Sequence, residues 1–240
     1  MGQLPKSRIA QLKREKRIAK AAKKRKENTR QKIVRFLIVC EGKKTEPNYF
    51  KNLVSNNYSE VREEHIAGEG QSTCALVKRA QSLREELERK HGLKFDRVWV
   101  VFDKDDFKDF NEAISLSEEY GFGCAWSNEA FELWYLLHFV FLDTAINRAS
   151  YITKLEENIR KHDGYGTYRY EKNSPNIYQI ITGLGEEALA KRYSARLREK
   201  YGDDKDFKTH SPCTTVDFLV DELENPERVL KEIERISCNG

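Results

Sequence analysis

Two short apolar runs, each ending on an acid, constrain this chain more than any other feature. Residues 33–40 (IVRFLIVC) and 97–102 (RVWVVF) are rich in β-branched and aromatic side chains, too short for helices, and read as buried strands. Helical spacing follows each. After the first, Thr45 is a candidate N-cap, with Pro47 in the opening turn of a helix through about Leu53. Residues 61–66 form a weaker strand, GEGQS a loop, and 73–90 a helix with apolar positions 76, 77, 80, 83 and 87. Beyond the second run come a helix over 107–120 ended by Gly121 and a strand over 123–126. A helix then starts from Ser127 or Asn128 and runs to about Leu142. This alternation predicts an α/β fold, a parallel sheet with right-handed crossovers and helices on both faces. Strand signals nearly vanish after 143, where helices are expected over 150–161, 175–182, 185–200, 213–224 and 226–236. The expected organisation is a basic arm (1–32), an α/β core (33–143) and a helical extension (144–240) packed on that core.

Charge is divided just as sharply. Residues 1–32 hold thirteen Lys and Arg against two acids, a balance of +11, so a net charge of +4 leaves −7 for the rest. Such an arm, helical or disordered, displaces counterions from a polyanion or serves as a solubilising leader. The five cysteines contain no CxxC pair, which supports neither a zinc site nor a disulfide framework. The N-terminus lacks an apolar core for a secretory signal, and the greasiest stretch, 133–142, is too short to span a bilayer. A cytoplasmic protein is expected.

In an open parallel sheet, working side chains gather past the carboxyl ends of strands. The first strand delivers Glu41 and Gly42; the second delivers Asp103, Lys104, Asp105 and Asp106. Alternation points Asp103 and Asp105 to one side, so neighbouring strands would bring Glu41, Asp103 and Asp105 into one pocket. Crowded carboxylates need a counter-charge, and Mg²⁺ or Mn²⁺ supplies one while still binding phosphate oxygens. The plainer alternatives are that the aspartates cap the helix near Phe107 and that Glu41 is a solvated turn residue.

The segments FLIVCEGKKTEPNYF and VWVVFDKDD resemble the Toprim fold, shared by topoisomerases, bacterial primases and a set of nucleases. With SNEAFELWYLLHF and SPCTTVDFLVDEL in this order, the chain resembles the RloB family, found beside restriction-modification and phage-defence loci. The likeness covers about residues 33–236. It implies a metal-dependent nuclease in anti-phage defence, with Glu41 as general acid/base or metal ligand. Asp103 and Asp105 would hold Mg²⁺ or Mn²⁺, Asp106 assisting or serving a second ion. It implies nucleic acid (DNA or RNA) as partner, an ATPase of the same locus as companion, no membrane, and room for a homo-oligomer. The alternative is a binding or sensor subunit whose site is not catalytic. Many members carry Pro where Glu129 stands here, and no tyrosine can be assigned as a strand-passing nucleophile, so topoisomerase activity is not expected.

Several further residues have a functional and a structural reading. Lys43 and Lys44 would bind phosphate, or are solvated loop residues; Glu46 caps its helix, or is an outer ligand. Asn128 and Glu132, four apart, share a helical face; Asn128 would touch substrate or cap the helix, and a carboxylate at 132 in so apolar a helix calls for a partner. His138 reads as a core histidine, and Trp134, Tyr135 and Phe139 as core. The stretch GYGTYRYEKN interleaves tyrosines with Arg169 and Lys172, as a stacking surface for single-stranded nucleic acid or a poorly ordered loop.

Overall fold

The computed structural model describes residues 34–57, 66–68, 73–104 and 108–239. The basic arm, Asp105, Asp106 and most of the 61–66 strand lie outside these residues.

The elements run β1 (Phe36–Cys40), α1 (Thr45–Asn57), β2 (Ile66–Gly68), α2 (Thr73–His91), β3 (Arg97–Lys104), α3 (Phe110–Glu119) and β4 (Gly123–Asn128). They continue with α4 (Glu132–Leu137), α5 (Arg148–Ile159), α6 (Ile177–Leu184), α7 (Glu187–Glu199), α8 (Val216–Glu224) and α9 (Pro226–Asn239). The four strands pair in the order β2-β1-β3-β4, and every pairing is parallel.

Strand alternation decides which helix covers which face. Phe36, Ile38 and Cys40 of β1, with Trp99 and Val101 of β3, share one buried cluster with Tyr49, Phe50 and Leu53 of α1 and Leu133, Trp134 and Leu137 of α4. The intervening Leu37, Val39, Val98, Val100 and Phe102 face Leu76, Val77 and Ala80 of α2 and Phe110, Ala113 and Ile114 of α3. The first cluster also takes in Tyr151 and Leu155 of α5, Ile181 of α6, Leu197 of α7 and Leu219 of α8. One core therefore runs from the sheet into the C-terminal helices. Among the described residues, no helix is long and apolar enough to cross a membrane.

The helix expected from Ser127 or Asn128 to Leu142 is shorter and begins later. Ser127 and Asn128 remain in the sheet, opposite Asp103 and Lys104 of β3. Their far edge is taken by the 213–215 segment, where Asn128 N donates to Cys213 O and Thr215 N to Trp126 O, both at 2.9 Å. Asn128 therefore caps nothing, and Phe131 precedes α4 without a side-chain cap. Between them Glu129 adopts φ +72°, a left-handed conformation that a proline ring cannot reach. Just past the far end of α4, at Leu137, the His138 carbonyl accepts from Glu186 N at 2.9 Å, which ties the end of α4 to the start of α7.

Candidate active site

Order β2-β1-β3-β4 places the topological switch between β1 and β3, where an open α/β sheet leaves a crevice at its carboxyl edge. Cys40 is in register with Val101, so the next residues of both strands emerge together there. Glu41 N donates to Val101 O at 2.8 Å, and Glu41 Oε2 accepts from Asp103 N at 3.2 Å. Glu41 thus folds across the end of the neighbouring strand. Asp103 continues the alternation of Trp99 and Val101, which directs it to the face covered by α1 and α4.

Two more carboxylates meet it there. Glu46 in the first turn of α1 is 6% exposed, and Glu132, the first residue of α4, is 2% exposed. Burial pushes the Asp103 carboxyl well above its ordinary range, and the Glu46 and Glu132 charges raise it further. Arg148 and the Phe131 backbone pull it back. Burial likewise raises Glu46; a hydrogen bond to its own backbone lowers it, Glu132 raises it, and Lys172 and Arg148 lower it. Glu46 Oε2 is buried without a hydrogen-bond partner. Space for that carboxylate exists because residue 42 is glycine, since a Cβ there would lie 2.1 Å from Glu46 Oε2.

The counter-charges come from beyond the predicted core. Arg148, at the start of α5, donates through Nη2 to Glu129 O at 2.9 Å and pairs with Asp103 Oδ2 at 3.4 Å. Tyr170 donates its hydroxyl to Glu132 Oε1 at 2.9 Å. Tyr170 lies in a strap, residues 165–175, that crosses the start of α1. There Thr45 Oγ1 donates to Lys172 O at 2.8 Å, Asn48 Nδ2 to Asn173 O at 3.4 Å and Asn52 Nδ2 to Pro175 O at 3.0 Å. Glu156 holds the other side, accepting from Tyr170 N at 2.9 Å and from Arg169 Nη1 at 3.3 Å.

The structure thus sets Glu41 against the Asp103 backbone and puts Glu46 and Glu132 close enough to act on the Asp103 charge, with Lys172 close enough to bias Glu46. Lys43 and Lys44 are exposed in the β1–α1 turn. Arg169 is turned to Glu156 rather than to the carboxylates. Asn128 is 2% exposed and donates from Nδ2 to Lys208 O at 3.2 Å, which ties it to the 206–214 loop. The tyrosines of GYGTYRYEKN pack as half-buried side chains against the main core. His138 is a core histidine, its Nδ1 2.9 Å from Trp134 O, and burial pushes its pKa down to about 4. Trp134 and Tyr135 are fully buried. Sequence reasoning missed Arg148, although its position carried a signal. Asn147 caps α5 by accepting from Ser150 N at 2.9 Å, so an arginine immediately after it opposes the positive end of the helix dipole.

Among the described residues, no group of three or more His, Cys, Asp or Glu side chains is already arranged to hold a metal ion. The donor set nevertheless suits a hard cation, with carboxylate oxygens only, one of them buried and unpartnered, and neighbours that raise one another's pKa.

The family model for RloB-like proteins matches residues 36–223. No curated protein and no solved structure matches the chain.

Proposed function

The chain belongs to the RloB-like family, and on that premise we propose that it is a Toprim-type nuclease hydrolysing phosphodiester bonds of DNA or RNA in bacterial anti-phage defence. The observation that carries this reading is the meeting of Glu41 with Asp103 at the carboxyl ends of β1 and β3, on the two sides of the switch point. Asp103, Asp105 and Asp106, with Glu41 beside them, would hold Mg²⁺ or Mn²⁺. Such an ion, when bound, supplies positive charge against the phosphate oxygens.

The chain's own groups account for the rest. Glu41 takes a proton from water as its oxygen attacks phosphorus. One P–O bond forms, the ester P–O bond breaks, and the departing oxygen is protonated from solvent. Lys43 and Lys44 meet flanking phosphates. Lys172 and the strap border the pocket and limit the entry of water around the buried carboxylates. A cytoplasmic location and cooperation with an ATPase of the same locus complete the reading.

The test is incubation with single- and double-stranded DNA and with total RNA in Mg²⁺ or Mn²⁺, alongside EDTA and Glu41→Gln. Cleavage lost in both controls supports the assignment and names the substrate class. Cleavage that survives Glu41→Gln at the wild-type rate overturns it. Binding without cleavage, with the ATPase present, assigns a sensor subunit instead.

A further inference from the structure

Two of the contacts that Arg148 makes are unequal. The 2.9 Å bond to the Glu129 carbonyl is a full hydrogen bond, whereas the 3.4 Å approach to Asp103 lies at the outer limit of one. The carbonyl anchors the guanidinium; the carboxylate only borrows its charge. Its anchor is itself unusual, because Glu129 sits at φ +72°, and such strain in a non-glycine residue gathers at working sites. The Arg148 side chain is 36% exposed and that of Asp103 13%, which puts the cation between solvent and the acidic pocket.

A phosphodiester nearing Glu41, Glu46, Asp103 and Glu132 meets repulsion unless a cation stands on its path. A planar guanidinium fork suits two phosphate oxygens, and the 3.4 Å approach to Asp103 is long for such a pair. The start of α5 also favours an anion, so an arriving phosphate would offset the cost of placing arginine there.

We propose that Arg148 is a substrate-phosphate ligand, its guanidinium balancing Asp103 and passing to non-bridging oxygens of the scissile phosphate when nucleic acid enters. The identity of that phosphate rests on the nuclease reading above. The contact itself is measured independently of cleavage.

Binding of a labelled single-stranded oligonucleotide, as DNA and as RNA, is followed across a salt series in the Glu41→Gln background, with and without Arg148→Gln. Losing one phosphate contact should lower the salt slope by about one and weaken binding at least several-fold. Arg148→Lys, which keeps the charge, should restore the slope. In the cleaving protein the same lysine variant should lower kcat about tenfold or more with KM little changed, because a point charge lacks the fork. A thermal melt of each variant reports folding, and if Arg148→Gln fails it the lysine variant decides. An unchanged slope in folded Arg148→Gln, or wild-type kcat in Arg148→Lys, overturns the proposal and leaves the nuclease reading standing. A slope difference with no cleavage by the wild type, ATPase included, supports the contact and overturns the nuclease reading. Absence of any nucleic-acid binding overturns both.

Discussion

Replacing Gly42 with alanine tests whether the seat of Glu46 matters to the site. A Cβ at 42 would stand 2.1 Å from Glu46 Oε2 and 2.8 Å from its Cδ and Oε1, whereas ordinary contact begins at 3.4 Å. The carboxylate must therefore retreat by about 1.3 Å, and being only 6% exposed it has little free space to enter. Overpacking of this kind costs about 1–3 kcal/mol of stability. Displacement of a charged group by about 1 Å within a working site costs on the order of 100-fold in rate. The expected outcome is thus a folded protein with a modestly lowered Tm and cleavage down about two decades. Glu46→Asp, which shortens the side chain by one methylene, should return part of both losses when combined with Gly42→Ala. Glu46→Ala should return stability alone, and the two sites should be non-additive in a double-mutant cycle. Mg²⁺-dependent cleavage and thermal melts on wild type, the three single variants and the two double variants read this out. Wild-type cleavage by Gly42→Ala, or strict additivity, would refute the reasoning.

Other outcomes follow from named contacts. Tyr170→Phe removes the donor to the buried Glu132 carboxylate and should cost about 1.5–3 kcal/mol in urea unfolding, part of which Glu132→Gln recovers. At the junction of α7 and α8, burial and then the hydrogen-bonded neighbour Glu224 push the Glu187 pKa from 4.5 to about 7. The folded chain therefore keeps a proton that the unfolded chain releases above about pH 4.5, and this contribution to stability falls as pH rises through 7. Glu187→Gln should flatten that slope, gaining on the order of 1–2 kcal/mol relative to wild type at pH 8 against pH 5, after allowance for solvent screening. Melts at the two pH values check it.

The central strands were legible because continuous apolar runs too short for helices have to be buried on both faces, as β1 is along its whole length, and the helices because their apolar positions recur at helical spacing. Residues 97–102 were read as strand, and β3 is Arg97–Lys104; residues 73–90 were read as helix, and α2 is Thr73–His91. The convergence of Glu41 with Asp103 followed from the same logic, since each stands at a strand end. The 127–142 reading went wrong where tertiary pairing overrode a capping signal, as Ser127 and Asn128 satisfy their backbone through β3 and the 213–215 segment. Arg148 and Tyr170 reach the pocket from 45 and 38 residues away from the acids they touch, Asp103 and Glu132. Local periodicity carries no information at that range.

The strap that borders the pocket is gripped in a particular manner. Thr45, Asn48 and Asn52 hold the main-chain oxygens of Lys172, Asn173 and Pro175, never their side chains. Any amino acid presents that same oxygen, so those positions can drift in identity while the segment keeps its course over α1. The strap's course over α1 is thus set by backbone oxygens and not by side-chain identity, which leaves the side chains of Asn173 and Pro175 uncommitted to this grip.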